Sequence, residues 1–114
     1  MKNRIAKIVS LLDEKKAENI QVFDMRNRDY FVSSVIIATT MGERHGLSLL
    51  DYLKDELKKE GEKFVNIDSS EEWSILDLGD MIIHLMTPGY RAKYNIEEFL
   101  SNLEEQARKE IEQE

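Results

Sequence analysis

Apolar positions recur along this chain of 114 residues with two periods, and the changes of period mark the elements. Ile5, Ile8, Val9 and Leu12 fall at helical spacing among polar residues, and Asn3 is placed to cap the first turn. This predicts an amphipathic helix to about Glu18. Ile20 to Asp24, "IQVFD", is short and rich in strand formers, and the polar "RNRD" follows it closely. Tyr30 to Ala38, "YFVSSVIIA", has an unbroken apolar centre, which predicts a central strand covered on both faces. Leu47, Leu50, Leu53 and Leu57 then form the stripe of a second helix, with Gly61 as its C-terminal cap. Lys63 to Ile67 reads as a weak strand and "SSEE" after it as a loop. "WSILDL" and "MIIHLM" flank Gly79 and Asp80, the signal of a β-hairpin with a two-residue turn. Pro88 and Gly89 read as a break. Asn95 with Glu98 forms a capping box ahead of Ile96, Phe99, Leu100, Leu103 and Ala107, predicting a third helix.

The order α, β, β, α, β, β, β, α contains no linker, repeat or low-complexity stretch. It predicts one α/β domain over residues 1–114, a mixed five-stranded sheet flanked by helices, with a tail from about 104 that frays. A chain of this length removes roughly two-thirds of its unfolded surface from water, so neither metal nor disulfide is required to fold it. There is no cysteine, which excludes thiolate chemistry and fits a reducing compartment. Ser10, Asp13 and Glu14 interrupt the first apolar residues too early for a signal peptide, and no run approaches the roughly 20 apolar residues of a membrane span. The expected location is the cytoplasm. With 23 acidic and 16 basic side chains the formal net charge is −7, which disfavours nonspecific attraction to nucleic acid and suits a basic protein partner.

The candidate chemistry is sparse. Thr39 to Gly46, "TTMGERHG", lies where a strand runs into a helix, a place where backbone amides and the helix dipole can receive an anion. A phosphate loop needs Lys followed by Ser or Thr, which is missing, so the expected role of the threonines is to cap the helix. Asp77 and Asp80 have the composition of a magnesium site, but Asp80 falls in the hairpin turn, where Asp bonds nearby backbone. His84 among apolar neighbours reads as a hydrogen-bonded structural residue. His45 stands alone, and no Ser or Lys has the partners of a nucleophile. No catalytic residue, cofactor or metal is therefore expected. Thr87 to Asn95, "TPGYRAKYN", gathers Tyr90, Arg91, Lys93 and Tyr94 between elements, and Tyr and Arg are the residues that anchor protein interfaces.

The run "WSILDLGDMIIHLMTPGYRAKYNIEEF" resembles the signature of the ribosomal silencing factor family, also called iojap. Trp73, Asp77, Gly79, Asp80, His84, Arg91, Tyr94 and Glu97 match that signature in order and spacing. Upstream, "ENIQVFDM" and "VIIATTMGERH" resemble the family's opening, so the likeness covers about Ile5 to Leu103. The chain departs from the pattern at Thr39 to Gly42, at Asn66 and Ile67, and at Ile96 and Leu100, the last standing where the family usually has Trp. The resemblance implies a nucleotidyltransferase-like fold without catalytic residues. It implies binding to universal large-subunit ribosomal protein fourteen on the intersubunit face, steric exclusion of the small subunit, and damped translation when nutrients are scarce; it also leaves room for a homodimer. The rival reading is a nucleotide- and magnesium-binding transferase. Partner contacts are expected from Trp73, Asp80, Tyr90, Arg91, Tyr94 and Glu97, with Arg91 exposed.

Overall fold

A computed structural model of the chain describes residues 2–25 and 32–94. The elements run α1 (Lys2–Glu14), β1 (Glu18–Asp24), β2 (Ser34–Thr39), α2 (Glu43–Lys59), β3 (Asn66–Ser69), β4 (Trp73–Asp77), β5 (Met81–Met86) and α3 (Pro88–Tyr94). The five strands form one mixed sheet in the order β1-β2-β5-β4-β3, parallel between β2 and β5 and antiparallel elsewhere. The α/β class and the five-stranded sheet are as expected.

Alternation along the strands divides the core into two layers. Ile36 and Ala38 of β2 and Met81, Ile83 and Leu85 of β5 meet Ile8, Leu11 and Leu12 of α1 and Leu49, Leu50, Leu53 and Leu57 of α2. On the opposite face Val35, Ile37, Ile82 and Met86 gather with Phe23, Met25 and Val32, and with half-buried Trp73, Ile75 and Tyr90. Every residue of β2 is buried, which is what its solid apolar run predicts for a strand between two others.

Both long helices end in the same motif. In α2 the Gly61 amide donates to the Lys58 carbonyl and the Glu62 amide to the Leu57 carbonyl, with Gly61 at φ 86°. In α1 the Lys16 amide donates to Asp13 and the Ala17 amide to Leu12, with Lys16 at φ 66°. These are paired Schellman bonds, and they stop α1 at Glu14, four residues short of the expected end. Lysine has a Cβ that resists the left-handed conformation by about 1–2 kcal/mol, part of which glycine returns through the entropy it loses on folding. Lys16→Gly should therefore stabilise the chain by about 0.5–1 kcal/mol, read as a raised urea midpoint; an unchanged or lowered midpoint would show that the turn is not strained.

Other details also differ from the sequence reading. β3 begins at Asn66 because its register is set by β4: Asn66 faces Asp77, and the Val65 amide already donates to the Asp77 carbonyl. In α2 the buried stripe runs through Gly46, Leu49, Leu50, Leu53 and Leu57, and Leu47, about 100° off that line, is 42% exposed. β2 starts at Ser34, and Tyr30 and Phe31 lie outside the described residues. Pro88 does not break the chain but opens α3, where its missing amide costs nothing. Thr87 caps that helix, its Oγ1 accepting from the Tyr90 amide at 3.4 Å and its carbonyl from the Arg91 amide. The helix expected after Asn95 lies outside the described residues.

Candidate functional site

The β4–β5 hairpin turns through Gly79 and Asp80, closed by the Leu78 amide on the Met81 carbonyl, with Gly79 at φ 92°. The Gly79 amide donates to Asp77 Oδ1, so Asp77 is committed to its own turn. Asp80 accepts two bonds from Arg4 of α1, at 2.6 and 3.1 Å, and the same guanidinium holds Glu62 at 2.7 and 3.0 Å. The Arg4 bond holds the Asp80 carboxyl below its ordinary pKa. Asp80 thus ties α1 to the hairpin. It sits at the opposite end of β5 from Tyr90 and Arg91, so it does not join them in one patch.

The other end of the sheet lies outside the carboxyl ends of the parallel pair, Thr39 of β2 and Met86 of β5. Trp73 opens β4 opposite Met86, half-buried against the second core layer, and half-buried Tyr90 packs on the same layer. Arg91 departs from expectation, being only 7% exposed. Its Nη1 donates at 2.7 Å to the Asn19 carbonyl and at 2.7 Å to Thr39 Oγ1. Asn19, at φ 48°, falls where the β1–β2 register shifts between Glu18 and Gln21. Arg91 therefore fastens α3 to both strands and lines an open depression of about 500 Å³ with Asn19, Gln21, Thr39 and Pro88. Tyr94 ends α3; its side chain and Glu97 lie outside the described residues.

The Thr39–Gly46 loop is organised by its histidine, which corrects the expected threonine cap. α2 starts from Gly42, at φ 149°, with no side-chain capping bond. The Met41 amide donates to His45 Nδ1 at 2.8 Å, which leaves Nε2 to carry the proton and donate to the Lys15 carbonyl at 2.8 Å. Thr39 is engaged by Arg91, and buried Thr40 packs beside Gly46. His84 lies across from Ile37 and Ile75, and burial pushes its pKa down to about 4. The expected hydrogen bond is not what holds it neutral; desolvation is.

The Arg91 clasp and the His45 strap escaped sequence reasoning because each joins residues distant in the chain. A Thr-Pro pair was the available signal for α3. Among the described residues no three His, Asp or Glu side chains cluster as metal ligands, and no helix is long and apolar enough to cross a membrane.

Comparison with known proteins adds what the geometry alone does not. A chloroplastic Iojap protein of Zea mays is 32% identical over 90 residues, spanning 78% of this chain and 40% of its own length. The chain thus spans about two-fifths of that relative. A ribosomal silencing factor of Haemophilus influenzae is 29% identical over 92 residues, covering 79% of this chain and 90% of its own. A crystal structure of a Chromobacterium violaceum protein superposes with a TM-score of 0.80 at 27% identity, over 87% of this chain and 85% of that one. The family model described as "Ribosomal silencing factor during starvation" matches residues 1–114. By that match over its whole length, the chain belongs to the ribosomal silencing factor family.

Proposed function

We propose that this chain is a non-enzymatic repressor of translation, acting in the cytoplasm. It binds universal large-subunit ribosomal protein fourteen on the large ribosomal subunit and excludes the small subunit by occupying the intersubunit face. The observation that carries this reading is the family match across residues 1–114. The site geometry supports it. The side chains that a transferase would use on phosphate and magnesium are engaged in holding the fold: Asp77 by its own turn, Asp80 by Arg4, Thr39 by Arg91 and His45 by the loop it straps. The acidic balance of the chain, −7, complements a basic ribosomal protein.

In this reading Trp73 and Tyr90 belong to the partner face, and Tyr94 and Glu97 are further contacts on the strength of the signature alone. Arg91 serves by fixing the helix that carries Tyr90, and Asp80 serves the fold at the far end. Mixed with separated ribosomal subunits, the chain should sediment with the large subunit and reduce the joined fraction in a sucrose gradient, more strongly at low than at high salt. Normal joining at saturating protein would overturn the proposal.

A further inference from the structure

We propose that the outer edge of β1, with the depression beside it, takes up an extended basic peptide of another protein as an added strand. β1 borders the sheet on one side and β3 on the other, and among the described residues no strand pairs with either outer edge. The direction of the β1 backbone follows from its neighbour. The Met25 amide donates to the Ser33 carbonyl, and on the far side of β2 the Thr40 amide donates to the Met86 carbonyl. Within β2 the odd positions therefore turn toward β1 and the even positions toward β5. Phe23 opposite Val35 and Gln21 opposite Ile37 are the bonded pairs. Val22, opposite Ile36, points its N–H and C=O away from the sheet, and its side chain is 42% exposed.

Open edges are commonly blunted by a lysine, a proline, a shortened strand or a side chain laid on the outward amides. β3 is blunted in two of these ways. It has four residues, and the Ser70 bond to the Trp73 carbonyl turns Ser69 outward, where its amide donates to Asp68 Oδ1 at 2.9 Å. β1 runs for seven residues, "ENIQVFD", without lysine or proline. Backbone donors and acceptors at strand spacing are matched by another strand, so the occupant is an extended polypeptide. Its charge follows from Glu18 and Asp24, which stand at the two ends of β1 with no basic side chain between them. At the Glu18 end lies the depression of about 500 Å³, lined also by Gln21, Pro88 and Ala92. A lysine of the added strand suits it, with methylenes on Pro88 and Ala92 and the ammonium at Glu18. Arg91, in the same lining, has its Nη1 turned to the Asn19 carbonyl and the Thr39 hydroxyl. β4, which carries Trp73, is three strands away, so this edge is a second surface.

The probe is a synthetic peptide of alternating lysine and valine, as long as β1, titrated into the full isotope-labelled chain and followed by amide resonances. The Val22 amide should move downfield, as a new hydrogen bond requires, while the Ser69 amide of the blunted edge stays in place. Val22→Pro removes the outward N–H at an edge position where proline is tolerated, so it should keep its melting temperature and bind about fivefold or more weakly. Glu18→Lys should weaken binding of the same peptide about threefold or more. If Val22→Pro melts early, the unmodified chain decides with a second peptide of the same sequence, N-methylated at every amide, which should not bind. No binding at about millimolar peptide, binding that survives N-methylation, or a Val22 amide that does not move overturns the proposal. So does a dimer of the chain that Val22→Pro breaks and the peptide cannot, because the edge then takes a second copy of this chain.

Discussion

Arg91→Glu is expected to lose about 3 kcal/mol or more of folding stability, a drop of roughly 15 °C in melting temperature for a domain of this size. The guanidinium is 7% exposed and satisfies two acceptors that lie far apart in the chain, the Asn19 carbonyl and the Thr39 hydroxyl. Truncation would leave the buried Thr39 hydroxyl short of this partner, at about 1–3 kcal/mol, and would hand the part-buried Asn19 carbonyl to water. A glutamate adds a carboxylate facing that carbonyl, so repulsion and desolvation act in the same direction. Arg91→Lys should fall between the two, since a single ammonium cannot reproduce the fork. Urea titration of the three chains reads the effect directly. A melting temperature within about 2 °C of the unmodified chain would show that the clasp contributes nothing net. Loss of ribosome binding by Arg91→Glu would be diagnostic of a contact only if Arg91 stood on the surface, as the sequence predicts. With Arg91 buried, such a loss reports on folding, and exposed positions serve better.

Acid should destabilise the chain in a window that belongs to His84. Its folded pKa, about 4, lies below the ordinary 6.5 because burial disfavours the imidazolium. Between those values the unfolded chain binds the proton and the folded chain does not, so stability rises with pH through this range. The contribution is fully present above pH 6.5 and is lost as pH falls toward 4. The loss by then amounts to about 3 kcal/mol. Asp80 acts lower down: its folded pKa is depressed by Arg4, so its contribution holds above the ordinary carboxylate value and disappears below it. His84→Leu should flatten the stability profile between pH 6.5 and 4 while leaving the steeper loss below pH 4. An unchanged slope in that window for His84→Leu would remove His84 as its cause.

The parts of this fold legible in the sequence are those decided locally. The glycine turn between two alternating apolar runs fixes the β4–β5 hairpin, and Met81–Met86 is the strand read from the chain. β2 was legible because only a doubly covered strand needs so continuous an apolar run. What escaped depends on partners. β3 takes its limits from the residues β4 offers it, so its own weak pattern placed it three residues early. The choice of Leu49 over Leu47 follows from which side of α2 meets the sheet, and four neighbouring leucines satisfy more than one stripe. For the candidate site the loss was greater. Trp73 of the signature and Tyr90 fall at the same end of the sheet, yet the signature also contains Asp80, which lies at the other end, and Arg91, which is inside. Membership of one signature says that residues recur together, not that they face one ligand.

The parallel contact at the centre of the sheet also governs when the chain can fold. Ser34 pairs with Met81 and Thr39 with Met86, across all of α2, β3 and β4. Closing so long a loop is slow relative to forming a hairpin, because its entropic cost precedes the contacts that repay it. During synthesis β2 leaves the ribosome early with β1 alone as a strand neighbour, and the edge that takes β5 stays unpaired until β5 follows. A nascent chain stopped before Met81 therefore exposes, along a free edge, a strand whose every residue is buried in the finished fold, where other chains can pair with it.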